Sequence, residues 1–194
     1  DEGDRAPGIG LTLRGRNGVG SRLIAGVLFD GADIDRRINE RAAAAFSSLA
    51  AQNGLDKRYL AAVTGKPEPP SGEMRDFLYH DVRKNKSYVV KRMRKGVREA
   101  KLSYRVLAET EDLSLVRIRL HTGRTHQIRV QFSSRGLPLL GDIRYGSKDP
   151  HCTAALWSYR LALTHPLTHK EIDITQPPPH QYPWTLFTAP ELEN

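Results

Sequence analysis

The sequence predicts an α+β fold in which a mainly antiparallel, mixed β-sheet carries a few helices. Segments of strand character outnumber helical ones by roughly three to one, and joints rich in Gly, Pro, Asn and Asp separate them. The length agrees, since 194 residues suffice for one compact domain with a core and no internal repeat divides them. Residues 1–22, rich in Gly and Arg and poor in anything to bury, read as a poorly ordered or partial N-terminal segment, with residues 23–194 forming a single domain.

Each element has its own pattern. Leu23 to Phe29 is a continuous apolar run of strand length. Asn39 then caps an amphipathic helix that runs to Gln52, with Ala42, Ala45, Phe46 and Leu49 as its buried stripe and Asn53-Gly54 as its stop. Lys57 to Val63 reads as a buried strand with a basic start, Pro67 to Gly72 as a turn-rich joint, and Gly72 to Tyr79 as a further strand. Glu99 to Leu107 places Ala100, Leu102, Tyr104 and Val106 on one face. Leu115 to Leu120 does the same with Val116, Ile118 and Leu120. Gly123 breaks that strand, and Thr125 is placed to cap a short helix in which Ile128 and Phe132 sit four apart, closed by Gly136 as its C′ residue. Ala154 to Leu163 is a strand or strand pair, Glu171 to Thr175 alternates, and Pro177 to Trp184 is an extended closing segment.

The charge balance selects a class of partner. Thirty Lys and Arg against 22 Asp and Glu give a net charge of +8 and a pI near 9.8, which favours a polyanion. Lys84, Lys86, Lys91, Arg92, Arg94 and Lys95, interleaved with Tyr88 and two valines, suit a ribbon whose outer face tracks a phosphate backbone. Arg124 and His126, at the start of the short helix, suit a phosphate or carboxylate.

Other classes find little support. Gly15 to Gly20 lacks the Lys-Ser/Thr of a P-loop. His165 and His169 are four apart, but Pro166 disfavours a helix between them and no third ligand accompanies them, so no metal site is expected. The single cysteine, Cys152, cannot form an internal disulfide and points to a reducing compartment: the cytoplasm, or an organelle matrix such as that of mitochondria after removal of a presequence. No apolar run approaches the ~20 residues needed to span a bilayer, and Asp1-Glu-Gly-Asp-Arg5 is no signal region, so no membrane association is expected.

Two stretches go beyond composition. Gly123-Arg-Thr-His-Gln-Ile-Arg-Val130, followed by Gly136-Leu-Pro-Leu-Leu-Gly-Asp-Ile-Arg-Tyr-Gly146, resembles the third motif of the RluA-type RNA pseudouridine synthases. Lys57-Arg-Tyr-Leu-Ala61 resembles their second. The resemblance runs from about residue 25 to Phe187. It implies a sheet around a central RNA-binding cleft, in which a uridine of rRNA or tRNA is flipped out, its glycosidic bond broken and the base rejoined through carbon, without metal or organic cofactor. It also implies roles. Tyr59 would pack against the base, and Arg129 would pair with a nucleophilic aspartate; the alternative for Tyr59 is a core aromatic with its hydroxyl bonded.

The family's first motif, His-Arg-Leu-Asp, is not matched: Ser21-Arg-Leu-Ile24 keeps only its centre, and Asp30, Asp33 and Asp35 follow the apolar run instead of preceding it. The expectation is an RNA pseudouridine synthase whose aspartate-bearing loop is missing from the chain, or which uses an unusual aspartate from those three. The alternative is a catalytically inactive relative that binds RNA, for instance in ribosome assembly. Neither the target uridine nor the oligomeric state is specified.

Overall fold

The computed structural model describes residues 44–49, 52 and 54–187. Alternation along the chain builds seven strands: β1 (Asp56–Thr64), β2 (Ser71–Asp81), β3 (Lys86–Val90), β4 (Val97–Glu109), β5 (Leu113–Leu120), β6 (Leu156–Thr164) and β7 (Glu171–Thr175). They form one sheet in the order β3-β2-β4-β5-β1-β6-β7. Every neighbouring pair is antiparallel. The expected α+β class is therefore present, as are the strands expected from Lys57 onward. Helix is confined, among the described residues, to residues 44–49, α1 (Gln127–Ser133) and single 3₁₀ turns at Ile143–Tyr145 and Trp184–Leu186.

The period of two divides β1 between the two faces of the sheet. On one face Ala61 and Val63 of β1 lie with Val116 and Ile118 of β5, Leu102 of β4 and Met74 of β2, and α1 seals them with Ile128 and Phe132, assisted by Leu139. On the other face Leu60 and Ala62 meet Leu115, Leu140, Ala155, Tyr159 and Phe187. At ~1.5–3 kcal/mol for each large side chain removed from water, Ile118, Phe132 and Leu139 together contribute an amount comparable with the ~5–15 kcal/mol net stability of a domain. α1 is therefore a fixed part of the fold.

Three local expectations are corrected. Thr125 does not cap α1: the N-cap is His126, in the left-handed region at φ 56° with no side-chain cap bond. Gln127 instead braces the loop before the helix, its side-chain oxygen accepting the Arg124 N–H (3.0 Å) and the Thr122 hydroxyl (2.8 Å). At the other end Ser134 is the C-cap and Gly136, at φ +76°, lies two residues beyond it. The basic run is not one continuous ribbon either, because β3 ends at Val90 and Lys91, Arg92, Arg94 and Lys95 occupy the loop leading to β4.

The strand or strand pair expected at Ala154 to Leu163 is one strand, β6, which begins at Leu156. His165 to His169 is a turn, held by Leu167 and Thr168 N–H groups that both donate to His165 Nδ1. Of the predicted first helix, residues 44–49 are helical, with Phe46 buried edge-on against His165 at 5.3 Å between centroids. The rest of that helix, the strand predicted at Leu23 to Phe29, and residues 1–22 lie outside the described residues. No helix among the described residues is long and apolar enough to cross a membrane.

Gly141 shows how tightly the segment after α1 is built. Its φ is +74°, and a Cβ there would collide with the carbonyl oxygens of Cys152 and Thr153, which are backbone atoms and cannot swing away. Gly141→Ala is predicted to destabilise the protein by ~1–3 kcal/mol from the backbone conformation alone, plus the clash, measured as a lower urea midpoint at unchanged m-value.

Candidate active site

The site begins with an arginine on α1. One residue beyond Ile128, which faces the sheet, Arg129 turns toward the segment that Gly141 bends back across the helix. There its Nε and Nη2 donate to the two carboxylate oxygens of Asp142, both at 2.6 Å. The Asp142 side chain is 1% exposed and that of Arg129 22%, so the carboxylate is sealed in while the guanidinium keeps a face to solvent. These bonds raise the Arg129 pKa further, making its charge permanent. The Tyr145 ring lies beneath the guanidinium, 4.9 Å from Cζ to centroid.

This pairing was not legible in the sequence. The aspartate expected beside Arg129 was one upstream; the carboxylate in contact with it is Asp142, from the same motif. Asp142 cannot serve as the attacking aspartate itself, being buried with both oxygens held by Arg129. Ser21 to Ile24, Asp30, Asp33 and Asp35 lie outside the described residues. The available signal for Asp142 was its place in Gly141-Asp-Ile-Arg-Tyr-Gly146, a turn-forming run downstream of α1 in the same motif.

Tyr59 lies on the same face of the sheet as α1, half-buried and packed against the cluster that contains Ile128 and Phe132. Burial pushes its hydroxyl pKa up, opposed by a hydrogen bond with Ser158, so it is neutral at ordinary pH. The second and third motifs thus meet through one apolar layer. Two residues before Tyr59 on that strand face, Lys57 carries its ammonium to Gly123, where a Cβ would stand 3.5 Å from Nζ; burial lowers the Lys57 pKa. Sequence reasoning passed over Lys57, although its spacing of two from Tyr59 marked it as sharing that face.

The basic residues fall into groups. Arg124 is exposed and donates through Nε to the Glu99 carbonyl at 2.8 Å. Lys84 and Lys86 lie at the β2–β3 hairpin, with Lys86 Nζ 5.3 Å from the Tyr145 ring centroid and 5.8 Å from that of Tyr88. At the other end of β3, Lys91, Arg92, Arg94 and Lys95 are exposed, and Arg94 lies over Tyr79 at 5.5 Å. His126 differs from the rest. Its Nδ1 is 3.0 Å from the Tyr145 hydroxyl, and burial, followed by the nearby Arg129 charge, pushes its pKa down to about 4. It is therefore a neutral hydrogen-bonding group at physiological pH.

Comparison with known proteins agrees with this geometry. The model of the RNA pseudouridylate synthase family matches residues 39–134, which hold both Tyr59 and Arg129. The ribosomal large subunit pseudouridine synthase D of Zymomonas mobilis is 36% identical over 142 residues, 66% of this chain and 44% of that protein. This chain belongs to the RluA-type RNA pseudouridine synthase family.

A protein of the same name from Nitrosomonas europaea is 34% identical over 125 residues, 59% of the chain and 35% of that relative. The solved structures of human RNA pseudouridylate synthase domain containing 1 and 4 share the synthase fold, with TM-scores of 0.62 and 0.59. Their identities are 22% and 20%, covering 74% and 75% of this chain and 63% and 64% of theirs. The chain spans less than half the length of the curated relatives it matches, 44% of the first.

The electrostatics of this site give two predictions. Removing one side of the Arg129–Asp142 pair should be costly: Arg129→Ala leaves a buried carboxylate uncompensated and is predicted to lose ~3–5 kcal/mol in urea unfolding, with Arg129→Ala/Asp142→Leu recovering part of it. For His126, the folded pKa of about 4 lies below its ordinary 6.5, so between those values the unfolded chain binds more protons. Its contribution is complete above pH 6.5 and is lost as pH falls toward 4. His126→Asn, which tolerates the left-handed backbone, should show a smaller loss of stability than wild type between pH 7 and ~4.5.

Proposed function

We propose that this chain converts uridine in RNA to pseudouridine at the face of the sheet where Tyr59 and Arg129 are set. The observation that supports it most is the packing of the second-motif tyrosine and the third-motif helix into one apolar cluster, with Arg129 held in a fixed, permanently charged orientation beside it. The reaction is an isomerisation: the N1–C1′ bond breaks, a C5–C1′ bond forms, the proton on C5 leaves and N1 regains one. No redox partner is required. A flipped base offers its glycosidic bond to the site, an aromatic ring packs against the base, and a fixed cation stabilises the negative charge that develops. The attacking or deprotonating carboxylate falls to an aspartate outside the described residues.

RNA is held chiefly through its phosphates. Lys84, Lys86, Lys91, Arg92, Arg94, Lys95 and Arg124 supply the charge, contributing affinity and salt dependence with little sequence information. His126, neutral and turned inward, is assigned to holding Tyr145 instead of a phosphate. The first transcript to test is large-subunit rRNA, after the printed names of the bacterial relatives, followed by tRNA.

The test is incubation of the full-length protein with rRNA and tRNA transcripts, followed by chemical mapping of pseudouridine. A single modified uridine is expected. Arg129→Lys keeps the charge but not the fork, and should lower turnover on the order of 100-fold with RNA affinity within about twofold. Replacing Lys91, Arg92, Arg94 and Lys95 together by Ala should reduce the slope of log K against log salt by about 3. Salt-sensitive binding without any product would contradict the synthase reading and leave an RNA-binding protein without turnover.

A further inference from the structure

Tyr145 stands between two groups that the proposed function uses separately: the basic β2–β3 hairpin and Arg129. Its ring receives a cation from each, Arg129 at 4.9 Å and Lys86 at 5.3 Å from the centroid. Its hydroxyl accepts the backbone N–H of Ser87 at 2.8 Å. Among the described residues β3 is an edge strand, paired only with β2, so a buried N–H on its outer side needs a partner from elsewhere. Tyr145 supplies it. One residue earlier, Arg144 donates through Nη1 to the carbonyls of Lys84 (3.0 Å) and Asn85 (3.2 Å), holding the hairpin turn.

The donors and acceptors around this junction close into a chain with a single direction. Ser87 Oγ donates to the Thr125 carbonyl at 2.6 Å and therefore accepts from His80 Nδ1 at 3.1 Å. Having accepted Ser87 N–H, the Tyr145 hydroxyl turns its own proton to His126 Nδ1 at 3.0 Å, which fits a neutral imidazole at the start of α1. Ser133 Oγ of α1 donates to the Tyr145 carbonyl at 2.6 Å. The hairpin, the 3₁₀ turn and α1 are thus tied together by directional, largely part-buried bonds. Two of them, to the hairpin at Ser87 and to the start of α1 at His126, meet at the Tyr145 hydroxyl.

We propose that Tyr145 is a positioning residue that registers the basic hairpin against Arg129, so that phosphates held by the hairpin fix where a nucleotide meets the arginine. The proposal rests on the RNA-modifying reading, but the coupling itself is measurable without turnover. Tyr145→Phe keeps the ring and both cation contacts and removes only the hydroxyl. An oligoadenylate contains no uridine, so it binds the hairpin with nothing to isomerise. Its binding should shift the Arg129 Nε–H resonance of the wild-type protein in 15N NMR.

In Tyr145→Phe the oligoadenylate should bind within about twofold of wild-type affinity, because the phosphate contacts remain, while the Arg129 shift falls by at least about fivefold. Ser87→Ala, which leaves the Ser87 N–H on Tyr145, should retain the shift. With substrate RNA, Tyr145→Phe should lower kcat on the order of tenfold with KM within about twofold. A full Arg129 shift in Tyr145→Phe, no shift in wild type, or an unchanged kcat would each overturn the proposal. If wild type makes no pseudouridine while the shift still depends on Tyr145, the coupling stands and the synthase reading falls. Should Tyr145→Phe fail to fold, Arg144→Gln, which cuts the exposed half of the linkage, decides in its place: a reduced shift supports the proposal and an undiminished one overturns it.

Discussion

The bidentate bond between Arg129 and Asp142 constrains the rest of this structure. A carboxylate with 1% of its surface exposed would be expelled from the interior without a partner. The partner has to arrive as a planar fork, which restricts it to arginine and fixes both angle and distance. That requirement sets the roll of α1 over the sheet and obliges the chain to turn back at Gly141, whose left-handed backbone lets Asp142 reach the helix. It also leaves Tyr145 under the guanidinium and next to the edge of β3. Ile128 and Phe132 decide that α1 packs on the sheet. The ion pair decides how.

Burial sorts the remaining polar groups around the site into two kinds. Tyr59, Tyr145 and His126 are all driven toward their neutral forms by removal from water. Fixed positive charge is left on Arg129 and on the lysines and arginines of the hairpin and loop flanking β3. Such a division suits a polyanionic substrate, since phosphates are drawn to the exposed cations while the base meets aromatic and uncharged groups. It also explains why a half-buried lysine, Lys57, is tolerated at the end of the same strand face: Gly123 leaves room for its ammonium, at the cost of a lowered pKa.

Much of the fold could be read from the chain because a period of two is a local property. β4 and β5 alternate unmistakably, and their faces in the sheet are those that the alternation assigns. The start of α1 could not be read, because its N-cap His126 makes no side-chain cap bond while the Gln127 side chain reaches back to Arg124 and the Thr125 carbonyl is taken by Ser87, 38 residues away in sequence. The motifs located Tyr59 and Arg129. They did not locate Asp142, whose partner is set by tertiary packing, and they gave His126 a charge that its surroundings remove. Tyr59 fits the core reading offered for it, as a half-buried aromatic with a bonded hydroxyl, and it lies on the layer shared with the Arg129 helix.

The most direct measurement is a crystal structure of the full-length protein bound to a substrate RNA hairpin. A target uridine turned out of its stack is predicted to lie against Tyr59, with its sugar facing Arg129 and an aspartate, Arg129 still paired with Asp142, and the flanking phosphates along the β2–β3 hairpin. An RNA whose bases all remain stacked, with no nucleotide touching Tyr59 or Arg129, would contradict the assignment of this face as the catalytic site.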